Sequence, residues 1–169
     1  MKALTVWQPW ASLIMIGAKP NEFRTWDYRE RNPRLVNERI VIHAGVREMR
    51  PQEIAVLIQE LEAGRGSLVR DLALPLLRRV FSAHKCRGVL PLGAVLGTVT
   101  LGKPFRCSNG FDPDSDRIDH HKWAWPVRDP DPFVPAIEWK GKQGFWDFPM
   151  PTDDCPRLTV LSQGYRTLA

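Results

Sequence analysis

The chain has 169 residues, of which 43% are hydrophobic and 25% charged, enough for one globular domain with its own core and too apolar for a disordered chain. Its net charge is +5 and its sequence pI about 9.4, a balance that favours an anionic partner, nucleic acid foremost. The three cysteines, Cys86, Cys107 and Cys155, are too few and too far apart for a disulfide framework or a zinc knuckle and predict reduced thiols in the cytoplasm, while no apolar run reaches the ~18 residues of a membrane helix or resembles a signal peptide.

Residues 2–7 alternate in polarity and predict a short strand. Pro9 suits the first position of a helix over Trp10–Ile16, which Gly17 ends by supplying a left-handed turn. Residues 22–28 read as extended, which puts Glu22, Arg24 and Trp26 on one face. Residues 39–43 form a β-branched strand. Ile54, Leu57, Ile58 and Leu61 recur at helical spacing between Pro51 and Gly64, predicting a helix over 51–63. A second helix is expected over 67–83, with Ser67 as N-cap and Pro75 kinking or splitting it. Residues 94–101 form the clearest later strand, and 107–121 a polar, acid-rich loop. Short strands or turns are expected at Trp123–Val127, Gly144–Phe148 and Arg157–Leu161, and the prolines between 126 and 135 argue against any long element there. Short strands with early helices give an α+β fold around a small barrel, in a single domain spanning 1–169.

Two motifs stand close together near the N-terminus: Gln8-Pro9-Trp10-Ala11-Ser12-Leu13-Ile14, then Gly17-Ala18-Lys19-Pro20-Asn21-Glu22-Phe23-Arg24, with Trp26 two residues on. Ile42-His43-Ala44 and Gly141-Lys142-Gln143-Gly144-Phe145-Trp146 follow later in the chain. In these segments, in this order, the chain resembles the ASCH family of the PUA-like superfamily. The resemblance covers residues 4–44 and 94–148. It implies a PUA-like small β-barrel with flanking helices, a helical insertion over about 47–90 that a minimal ASCH domain lacks, and a short C-terminal tail over about 162–169.

Physically, Arg24 offers a planar fork for phosphate or carboxylate, and Lys19 a mobile point charge. Glu22 between them can hold both cations in place. The same trio permits chemistry, with Lys19 as base or nucleophile and Glu22 relaying a proton, or it can be a structural ion cluster closing the barrel. Among seven tryptophans, Trp10 reads as core, whereas Trp26 and Trp146 adjoin cationic motifs and are candidates for stacking on bases. Lys140, Lys142 and Gln143 form a polar edge that can meet a sugar–phosphate backbone or be an ordinary solvated hairpin. His43 reads as a hydrogen-bonded barrel histidine bordering the cleft.

No metal site is expected. The stretch Asp112-Pro113-Asp114-Ser115-Asp116 lacks the glycine and final acid of a calcium loop, and His120 and His121 beside Asp119 point apart on a strand. No cofactor fingerprint, phosphate loop or nucleophile elbow is present in the sequence.

The resemblance implies binding of RNA or single-stranded nucleic acid through Lys19, Arg24, Trp26, His43, Lys142, Gln143 and Trp146, by a cytoplasmic monomer without cofactor. Its alternative is a metal-independent hydrolase, either a ribonuclease or an amidohydrolase on acetylated cytidine, with Lys19 and Glu22 catalytic. The amidohydrolase branch has a threonine where this chain has Glu22, and a glutamate on a later helix that the region Asp116–Lys122 does not supply. A protein-interaction domain is the third option.

Overall fold

The computed structural model describes residues 1–107 and 123–150. Seven strands form one mixed sheet curled into a half-barrel: β1 (Lys2–Gln8), β2 (Asn21–Arg24), β3 (Glu38–Glu48), β4 (Ala94–Leu101), β5 (Phe105–Arg106), β6 (Trp123–Glu138) and β7 (Phe145–Asp147). The order is β2-β6-β4-β3-β1-β7, with β5 on β6, and β1–β3 is the parallel pair. The expected strands 2–7, 39–43 and 94–101 are thus β1, the middle of β3 and β4, side by side. The expected strand at Arg157–Leu161 and the tail lie outside the described residues.

Helix α1 (Trp10–Met15) packs on β1, β3, β4 and β6 with every residue buried. Its ends explain the sequence around it. The Gln8 amide oxygen accepts the Ser12 N–H at 3.1 Å and its nitrogen donates to Ser12 Oγ and to the Pro91 carbonyl, both at 2.8 Å. Gln8 therefore supplies the helix cap that Pro9 cannot. Replacing it with alanine should leave buried partners unpaired and cost about 2 kcal/mol, which calorimetry would read as a Tm fall of about 4–8 °C. At the other end Gly17, at φ 74, donates to Ile14 O, and Ala18 and Lys19 both donate to Leu13 O. This is a Schellman turn, and it needs a residue at ease in the left-handed region. It fixes where Lys19 leaves the helix.

Two helices, α2 (Pro51–Glu62) and α3 (Arg70–Ser82), fill the expected insertion and take no part in the sheet. β2 ends at Arg24 and a 3-10 turn starts at Tyr28, where the sequence predicts extended chain over 22–28. Two boundaries and the effect of one proline also differ from the sequence reading. The β3 strand continues to Glu48, so residue 47 belongs to the sheet and not to the insertion. α3 starts at Arg70 with Val69 at its cap, not at Ser67, because Val69 N–H bonds the Ala18 carbonyl and pins the entry to α1. Pro75 does not split α3: it is the sixth of the helix's thirteen residues, and the hydrogen bond it loses is outweighed by burial of Ala73, Leu74, Leu76 and Leu77.

The largest correction is β6, which runs 16 residues through Pro126, Pro130, Pro132 and Pro135. It tolerates them because it changes partner and register along its length. Residues 123–126 pair with β2, and 127–138 pair with β4 across two register shifts. The exposed middle bends at Asp129, at φ 50. Prolines at such irregular points remove few ladder bonds.

The core has two parts. Leu4, Val6, Ile40, Ile42 and Trp125 join α1, α2 and α3 on one side of the sheet. Ala3, Val41, Val95, Ile137, Trp146 and Phe148 alternate with them to the other face. Edge strands β2 and β7 do not pair, so the half-barrel has an open seam. Rings bridge it: Phe145 of β7 stacks on Trp125 of β6 at 5.8 Å, and Trp26 and Tyr28 meet both edge-on.

Candidate functional site

β7 pairs with Lys2–Leu4 of β1, which among the described residues leaves the edge of β1 from Thr5 onward without a sheet partner on that side. A cavity of about 690 Å³ opens along this edge, within the seam, and it collects most of the residues the sequence singled out. Lys19, Glu22, Arg24, Trp26, His43, Lys142 and Gln143 all line it.

The centre of the cavity is an ion cluster. Lys19 is 2% exposed and Glu22 6%. The Glu22 carboxylate lies 2.9 Å from Arg24 Nη2 and 4.0 Å from Lys19 Nζ. Alternation along β2 puts Glu22 and Arg24 on one face, as the sequence predicts, and the turn after Gly17 delivers Lys19 to them. Arg24 also donates to the Thr5 carbonyl at 3.2 Å, so its guanidinium spans the seam from β2 to β1. Lys19 Nζ stands 5.0 Å from the Trp10 ring centroid and 4.7 Å from that of Phe23, within cation–π range. A buried, hydrogen-bonded and aromatic-faced trio of this kind supports either anion binding or proton transfer.

The segment from Trp139 to Gly144 forms the facing wall. His43 Nε2 bonds the Trp139 carbonyl at 2.9 Å, and Thr5 Oγ1 donates to the Lys142 carbonyl at 2.8 Å. Gly141 lies against the His43 ring so closely that a Cβ would come within 2.3 Å of Cε1 and 2.4 Å of Nδ1. Only glycine fits there. Burial lowers the His43 pKa from its ordinary 6.5, so the imidazole is neutral at physiological pH and its Nε2–H is the donor to Trp139. Lys140, Lys142 and Gln143 line the cavity on this wall and are exposed.

Trp146 is the site residue that the structure takes elsewhere. It is 5% exposed, sits in the second core cluster, and supports His43 edge-on at 5.7 Å while its indole N–H bonds Thr5 Oγ1 at 3.1 Å. Its place on β7 turns its ring away from the cavity, which Gly144 lines instead. Trp10, read as core, is buried at 3% exposure and also lines the cavity.

Sequence reasoning missed Trp7, Arg47 and Trp139. Arg47 sits flush on Trp7 at 3.7 Å, on the parallel β1–β3 pair, and Trp139 follows the end of β6. No local signal finds them, because their meeting depends on strand pairing across many residues. Among the described residues, the cavity lining therefore holds five basic side chains, Lys19, Arg24, Arg47, Lys140 and Lys142, around five aromatic rings, with Glu22 as the one carboxylate.

Among the described residues, the buried side-chain atoms without a hydrogen-bond partner are Trp10 Nε1, Arg24 Nε and His43 Nδ1. All three belong to residues that line this cavity.

Cys86 is no competing nucleophile, since burial and the nearby Glu48 push its thiol up to about 12. Among the described residues no group of three or more His, Cys, Asp or Glu side chains is placed to hold a metal. The acidic stretch Asp112–Asp116 and the pair His120 and His121 lie outside the described residues, as does Cys155. No described helix is long and apolar enough to cross a membrane. No protein-family model matches this sequence, and no curated protein does either.

Proposed function

We propose that this chain is an ASCH-type, PUA-like domain that binds RNA or single-stranded nucleic acid in the cavity around Lys19, Glu22 and Arg24. The observation that carries this reading is the composition of one concave surface, on which, among the described residues, five cations are interleaved with five aromatic rings around the one buried carboxylate of Glu22. Phosphates need the cations and bases need the rings, and few other ligands need both. The sequence resemblance supports the same class of ligand. The reading includes a cytoplasmic monomer that needs no cofactor.

The test is fluorescence anisotropy with a labelled single-stranded RNA across a salt series. Each phosphate contact contributes about −0.7 to the log–log slope, so three cavity cations in contact give a slope of about −2. Binding that ignores salt, or no binding at any salt, would leave a protein-interaction domain as the better description.

A second reading rests on the approach of Lys19 Nζ to the Glu22 carboxylate at 4.0 Å, both buried. That pair suits a metal-independent hydrolase acting on RNA or on acetylated cytidine, with Lys19 and Glu22 catalytic. Incubating the protein with both substrates and following product by chromatography separates this reading from pure binding.

A further inference from the structure

We infer that the ligand is a strand several nucleotides long, and that it leaves the cavity across Trp123, with Arg106 beside it as a phosphate contact. This rests on the nucleic-acid reading of the cavity and extends it to a surface that neither motif contains.

The register supplies the first argument. On β6, Trp123 lies directly opposite Arg24 of β2 on one side and opposite Arg106 of β5 on the other. Directly opposed residues of antiparallel strands share a face. Arg24, Trp123 and Arg106 therefore form one row across three strands, and the row starts at the cavity, which Arg24 lines. Two inter-strand spacings of about 4.8 Å make the row roughly 10 Å long. That is the rise of about three stacked nucleotides at ~3.4 Å each.

The chemistry of the row supplies the second. Trp123 is half-buried, so its ring is fixed and still reachable. The guanidinium carbons of Arg106 and Arg29 stand 5.5 and 5.9 Å from its centroid, farther than the flush 3.7 Å of Arg47 on Trp7. Close packing needs about 3.5–4.0 Å, so neither guanidinium is stacked flat on the ring. Arg29 is held by the buried Asp27, through bonds of 3.1 and 3.0 Å from Nε and 2.6 Å from Nη2, and this pairing neutralises its charge and fixes its position. Arg106 is exposed on a two-residue strand and carries the row's outer charge. A fixed aromatic ring between an inner and an outer arginine is the pattern that holds a base and its flanking phosphates. A free nucleoside held in the cavity would not need it.

The experiment compares uridine 5′-monophosphate with an eight-residue oligouridylate on the full chain. The wild type is expected to bind the octamer at least about tenfold more tightly than the monophosphate. Trp123→Ala should weaken octamer binding about 5- to 150-fold and leave monophosphate affinity unchanged. Arg106→Gln, at an exposed position that cannot disturb the core, should flatten the octamer salt slope by about 0.7 with the monophosphate unaffected. Equal affinity of the wild type for both ligands would overturn the inference and leave the cavity reading standing. So would unchanged octamer binding by both variants while Arg24→Ala weakens both ligands. Failure of both ligands to bind the wild type would overturn the cavity reading and the strand path together.

Discussion

Glu22→Ala should be the most destabilising single change in the cavity, costing about 3–5 kcal/mol, or a Tm fall of about 6–20 °C by calorimetry. Glu22 is the one carboxylate among the described lining residues, with Arg24 at 2.9 Å and Lys19 at 4.0 Å. Lys19 is 2% exposed, so removing Glu22 takes a close counter-charge from an almost fully buried ammonium. Breaking a buried pair from one side costs more than the intact pair contributes. The control is Lys19→Met in the Glu22→Ala background, which removes that charge and keeps the side-chain volume. It should recover most of the loss. A double variant no more stable than the single would show that charge burial is not the cause. Nucleic-acid affinity of the folded Glu22→Ala fraction should be unchanged or higher, because an acid has left a cationic surface.

Arg24→Ala should have the largest effect on binding, lowering single-stranded RNA affinity by about 10- to 150-fold, with the log–log salt slope flatter by about 0.7. Its guanidinium lines the cavity and crosses the seam to the Thr5 carbonyl, so it is both a phosphate contact and a tie between β2 and β1. Arg24→Lys keeps the charge and loses the fork, and should recover part of the affinity and none of the seam bond. A melt beside each titration separates lost fold from lost contact. Lys19→Met in the same assay tells binding from catalysis. If Lys19 contacts phosphate, affinity and slope fall together. If the wild type cleaves RNA or deacetylates acetylated cytidine, and Lys19→Met stops turnover while affinity holds, the hydrolase reading replaces simple binding. An Arg24→Ala protein that stays folded and binds as tightly as the wild type would rule the cavity out as the binding surface.

Local rules are enough for the stretch from Gln8 to Arg24, which contains a capping side chain, a helix, a left-handed glycine and a strand in which alternate residues share a face. Those rules act over a few residues, so the sequence alone brings Lys19, Glu22 and Arg24 together. The helical insertion is legible for the same reason, through its 3.6-residue spacing. Tertiary structure decided everything that depends on which strands pair. It let β6 run through four prolines, because partner changes and register shifts put them where few ladder bonds are lost. It turned Trp146 into core support for His43, pressed Gly141 onto that histidine, and brought Arg47, Trp7 and Trp139 to one cavity. The row Arg24–Trp123–Arg106 likewise depends on the β2–β6–β5 register, which brings Arg24 beside a residue about a hundred positions away. Local propensity cannot reach over such separations. The half-barrel sheet that packs the core sets the register, and the register sets which side chains meet.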